Sequence, residues 1–162
     1  MAYDGKVLAN VFKRNQNVIL RQVEGLSHAD SLLQPEARGN CLNFILGHIL
    51  IHREMLMEIL GLDPVSVNSE LSRYERDSEP ITEDGEGVLK YERLLDLLAQ
   101  SSKILINTLD NIADEELERK VRPGESSATV GMRVEFYSWH ETYHVGQTEY
   151  LRQLAGVDDK VI

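Results

Sequence analysis

Four stretches of the chain repeat apolar residues at the three-and-four spacing of an α-helix, and glycine and proline punctuate the segments between them. In the first, Leu8, Val11, Phe12, Asn15, Val18, Ile19 and Gln22 share a face, which predicts a helix from Tyr3 to Glu24 with Gly25 as its stop. The segment LSHADSLLQPEARGN (26–40) is broken by Pro35 and Gly39 and reads as loop or a short helical turn. A second helix is predicted over Leu42–Leu60, capped by Asn40 and ended by Gly61 and Pro64. Residues 61–87 hold Pro64, Pro80, Gly85 and Gly87 among Ser, Asp and Glu, an unusually long connection that could span the length of a bundle. The cleanest seam follows: Val88, Tyr91, Leu95, Leu98, Ser102, Leu105, Leu109 and Ile112 predict a third helix over 88–111. A short acidic helix at ADEELERK and a break at Arg122-Pro123-Gly124 precede a fourth long helix over Thr129–Ala155, stopped by Gly156.

This pattern predicts an all-α fold, a four-helix bundle with a long crossover between the second and third long helices, spanning 1–162 as one domain. The length of 162 residues suits one domain, and its 42% hydrophobic content is that of a globular chain. One cysteine, Cys41, leaves no intrachain disulfide to form, and residues 1–16 contain no apolar run of signal-peptide type. A cytoplasmic location is the expectation. No stretch approaches the roughly 18 apolar residues of a membrane span. A net charge of −10 without a basic patch argues against nucleic acid and anionic membranes as partners.

The histidines change the picture. Of five, His48 and His52 fall on the second long helix, and His140 and His144 on the fourth. Residues four apart sit nearly above one another. His140 and His144 share a stripe with Phe136, Gln147, Leu151 and Leu154, opposite Glu135, Ser138, Thr142, Glu149 and Gln153. His48 and His52 lie in an arc with Ile45, Met55, Leu56 and Ile59, opposite Asn43, Gly47, Glu54 and Glu58. Imidazoles aimed into a core need partners. One divalent cation shared between two helices satisfies several at once.

His140-Glu141-Thr142-Tyr143-His144 matches the HExxH pattern of zinc metalloproteases, in which the glutamate activates water. The context argues against a protease, because the positions of the extended motif that require Gly and His hold Gln147 and Tyr150. WHETYHVGQTEYLRQLAG (139–156) instead resembles the closing helix of the DinB/YfiT-like metal-binding four-helix bundles, with its His-x-x-x-His followed by Gly-Gln and Leu-Arg. LSHADSLLQPEARGNCLNFILGHIL (26–50) resembles that family's lead into the second helix, with its Gly-His-Ile. The resemblance spans essentially the whole chain.

It implies a metal triad of His48, His140 and His144, with Phe44 as the aromatic that precedes the first. His52 has no settled place in the pattern and is open as fourth ligand, proton carrier or core histidine. Three imidazoles leave open positions on a zinc, nickel or iron(II) ion. The family implies a thiol-linked transferase, with a low-molecular-weight thiol as co-substrate, while other members have no known activity. A small hydrolase, a non-catalytic metal-binding or sensing module, and a metal-free helical interaction domain are the alternatives. Gln147 is the candidate for orienting a ligand. Glu141 is either a group that reaches bound water or a solvated flank charge. Arg133 either holds an anionic group of a small-molecule substrate or snorkels at the bundle end. Cys41, near a helix start, reads as a buried small hydrophobe. A homodimer is the default assembly, since two-fold pairing is the commonest, although no residue marks the face.

Overall fold

The structure is a computed structural model that describes residues 3–67, 69–121 and 128–161. The elements are α1 (Gly5–Val23), α2 (His28–Ser31), α3 (Leu42–Ile59), a 3-10 turn (Ser72–Tyr74), α4 (Tyr91–Asp110), α5 (Asp114–Glu118) and α6 (Val130–Leu154). Among the described residues the only β pairing is an isolated bridge between Lys120 and Thr129. The Arg122-Pro123-Gly124 break lies outside the described residues. Among the described residues no helix is long and apolar enough to cross a membrane.

Local chemistry sets the helix ends. The Asp4 carboxylate accepts from the backbone N–H of Lys6 and Val7 and caps α1, and the Thr129 hydroxyl accepts from Met132 and caps α6. The N-cap of α3 is Cys41 rather than Asn40, and it makes no side-chain capping bond. Gly61 and Gly156, just beyond the two histidine-bearing helices, take the left-handed conformation that a side chain disfavours.

α1 packs on α4 and α6, and α3 packs on the same two. The Asn43 amide at the start of α3 donates to the Leu89 carbonyl just before α4. At the other end Leu56 and Met57 share an apolar cluster with Leu105 and Leu109. α3 and α4 therefore run parallel, as a long crossover between them demands. Leu8 and Phe12 of α1 and Val130 and Val134 of α6 join that same cluster, so these helices run the opposite way. The result is a four-helix bundle of the crossover type.

The crossover covers more of α3 than its polar residues suggest. Asn43 and Gly47 are buried, contrary to the wet face expected for them. The Tyr74 ring lies against Gly47, where any β-carbon would strike it. The Tyr74 hydroxyl donates to the Asn43 carbonyl oxygen at 2.9 Å and accepts from the Leu89 N–H at 2.7 Å. A single tyrosine thus pins the crossover to the start of both parallel helices. Glu54, also expected on the wet face, holds the beginning of the crossover by accepting from the N–H groups of Val65 and Ser66.

Candidate metal centre

α3 and α6 each present two histidines one turn apart, and the bundle brings the pairs together. His52 and His140 have ring centroids 3.9 Å apart, His48 and His144 5.0 Å, and His48 and His140 5.4 Å. Within each helix the Nε2 atoms approach to 3.2 Å, His48 to His52 and His140 to His144. One ring nitrogen from each of His48, His52 and His140 lies within 4.8 Å of the other two, a candidate three-histidine metal site. The Nε2 of His144 borders that trio through its contact with His140.

Two of the rings are held from outside. His48 Nδ1 is 2.8 Å from the Tyr74 carbonyl oxygen, which can only accept. His48 therefore carries its proton on Nδ1 and leaves a lone pair on Nε2. Phe44 stacks on the same ring at 5.6 Å. His144 Nδ1 lies 2.7 Å from the Gln147 side-chain oxygen, and donating to it leaves the same free Nε2. An outer acceptor that fixes tautomer and ring orientation is what metal-ligating histidines ordinarily have. The Nδ1 atoms of His52 and His140 are buried with no hydrogen-bond partner.

Burial, reinforced by the neighbouring imidazoles, pushes His52 down to about 3 and His140 down to about 4. Burial also lowers His144, against the opposing pull of its bond to Gln147. All three therefore rest in the neutral form whose lone pair can coordinate. Clustered neutral imidazoles, two with Nε2 freed by an outer bond, are a donor set that fits a divalent ion of borderline softness.

The remaining candidates divide. Gln147 contacts His144 through its side-chain oxygen. Glu141 neither reaches the histidines' open side nor sits in solvent: it is buried, and both carboxylate oxygens bond to the Arg53 guanidinium at 2.8 and 2.9 Å. The expected faces of α6 also shift. Ser138 is buried and Phe136 is exposed, while Thr142 stays exposed as expected and bonds to Asn15 of α1. The core face of α6 runs through Val134, Glu141, Val145 and Thr148. His140 and His144 lie at its margin, half-buried. Arg133 is exposed and lines a cleft of about 900 Å³ together with Met55, Glu58, Arg119 and Tyr137. Tyr137 connects this cleft to the histidines, its ring 5.7 Å from that of His52. Cys41 is buried, which raises its thiol pKa and removes it as a nucleophile. His28 stands apart, accepting from the Tyr91 N–H at the start of α4.

Sequence reasoning missed Arg53 and Tyr74. Arg53 is 1% exposed and bonds to all three other long helices: Glu141 on α6, Gln16 on α1, and the Leu98 carbonyl and Ser101 on α4. The available signal was a lone arginine inside the apolar run LGHILIHREML.

A fold and a site of this kind define a four-helix bundle with a candidate three-histidine metal site. The model of the DinB superfamily matches residues 12–148, and the chain belongs to that superfamily. A solved structure described as the conserved protein of locus from Enterococcus faecalis superposes with a TM-score of 0.73 over 96% of this chain and 98% of that one, at 17% identity. That likeness concerns the fold. No curated protein matches the chain by sequence.

Proposed function

We propose that the protein is a metal-dependent enzyme acting on a small molecule, with His48, His140 and His144 holding one zinc, nickel or iron(II) ion. The observation that carries this reading is the pair of outer bonds, from His48 to the Tyr74 carbonyl and from His144 to Gln147, that free two Nε2 atoms toward the His140 ring. His140 completes the set because its Nε2 is 3.2 Å from that of His144 and its ring lies beside both α3 histidines. His52, whose Nδ1 like that of His140 has no outer partner, is assigned a place beside the ion rather than on it, because the superfamily's motif positions fall on His48, His140 and His144. A bound ion would supply Lewis acidity to a thiol or water in its open positions.

The chain's own residues do the rest. The Arg53–Glu141 pair holds α3 and α6 in register, Tyr137 walls the approach to His52, and Arg133 offers a cation to an anionic group lying in the cleft. Superfamily membership favours a thiol-linked transferase over a hydrolase. The test is the visible spectrum of the cobalt-substituted protein titrated with low-molecular-weight thiols. A thiol-dependent charge-transfer band supports the reading, and no change across a thiol panel with cobalt bound contradicts the thiol assignment.

A further inference from the structure

The outer surface of α6 carries a feature that the metal centre does not use. Met132, Phe136, Trp139, Tyr143, Gly146 and Tyr150 follow each other at steps of four, three, four, three and four, so they form one straight stripe along the helix. All five side chains in it are exposed, Trp139 by 61% and Tyr143 by 59%. Three of the rings adjoin in sequence, with Phe136 against Trp139 at 6.0 Å and Trp139 stacked on Tyr143 at 6.3 Å. Single exposed apolar residues are ordinary, but a contiguous aromatic row marks a contact surface.

The order of residues in the stripe identifies its occupant. A two-fold axis beside residue 141 would set an antiparallel copy of α6 so that Met132 faces Tyr150, Phe136 faces Gly146 and Trp139 faces Tyr143. The stripe is self-complementary under that operation, as an isologous contact must be. The largest mismatch in size falls where it is useful. Gly146 has open space where a side chain would stand, and its opposite number is the Phe136 ring. With free aromatic side chains presenting about 150–250 Å² each, the exposed parts of the row amount to roughly 500 Å² per copy. The flanking side chains would bring a pair of copies to about 1,200 Å², the lower end of specific interfaces. The row also borders the histidines, since Phe136 stacks on His140 and Tyr143 sits edge-on to His144.

We propose that this stripe is a homodimer interface in which the α6 helices of two copies pair antiparallel about residue 141, placing the aromatic rows of both beside the two histidine clusters. The pairing stands whether or not the site is catalytic.

Trp139 is the chain's one tryptophan, so its fluorescence reads the interface directly. The experiment is sedimentation equilibrium of the full chain with Trp139 emission followed on dilution, for the parent, Gly146→Arg and Leu20→Glu. Leu20 is exposed on α1, away from the stripe, and Gly146→Arg enters open space, so neither change disturbs the monomer fold. The expected result is a parent of twice 18.4 kDa whose emission shifts to the red on dilution. Gly146→Arg should be a monomer with red-shifted emission at every concentration, and Leu20→Glu a dimer. A monomeric parent at tens of micromolar overturns the proposal, as does a dimer that Gly146→Arg leaves intact or that binds another face with Trp139 still open to aqueous quenchers.

Discussion

The Arg53 guanidinium and the Glu141 carboxylate form a two-pronged ion pair inside the bundle, and each residue is the immediate chain neighbour of a histidine, His52 on α3 and His140 on α6. Fixing one pair therefore fixes the other. Gln16, Ser101 and the Leu98 carbonyl accept from Nη1, so each of the three guanidinium nitrogens has a partner and a charge that would be costly to bury is compensated.

Removing one partner should be severe. Arg53→Met leaves Glu141 buried and unpaired, and Glu141→Leu leaves Arg53 so, each at about 3–5 kcal/mol. The double variant should recover most of the loss, because two apolar side chains need no partner. Urea midpoints of the four proteins check this, and a double variant as unstable as the sum of the singles would contradict it.

Gly47→Ala should disturb the metal centre from outside. The added methyl meets the Tyr74 ring, whose own carbonyl orients His48. Overpacking of this kind costs about 1–3 kcal/mol and should weaken metal affinity as well. Tyr74→Phe keeps the ring in place but strands the Asn43 oxygen and the Leu89 N–H, at about 1–3 kcal/mol. It should leave metal affinity nearly unchanged. Chemical denaturation and competitive chelator titration separate the two effects.

Gln147→Ala should lower metal affinity by about 10–100-fold, the usual effect of losing an outer acceptor on a ligating histidine. His52→Ala should lower it less than His144→Ala does. The reverse order, read by the same chelator competition, would make His52 the third ligand in place of His144.

The metal-free protein should lose stability in mild acid. His52 and His140 titrate near 3 and 4 in the fold and near 6.5 when unfolded. Between those values the unfolded chain binds more protons, so stability rises with pH across the window and falls as pH drops below about 6.5. Denaturant midpoints of chelator-treated protein at pH 7.5 and 5.5 should differ. In a His52→Leu, His140→Leu double variant the difference should shrink, and an equal difference in the variant would contradict the assignment.

The long helices were legible to within a few residues, because their apolar periodicity and glycine stops are local signals. The convergence of His48 with His140 was legible too, since spacing alone places each pair on one face. Arg53 and Glu141 were not, because each alone looks like a solvent charge and only their mutual burial explains either. Asn43 and Gly47 looked wet because nothing local says that the crossover returns to lay Tyr74 over them. Phe136 looked buried because an exposed aromatic row has the same helical spacing as a core seam.

The central claim is one divalent ion held between α3 and α6. Elemental analysis of the purified, untagged protein beside His48→Ala and His140→Ala tests it most directly. The account predicts one equivalent of metal in the parent and almost none in either variant. A parent that stays metal-free after incubation with zinc, nickel and iron(II), or variants that keep the parent's metal, would contradict it.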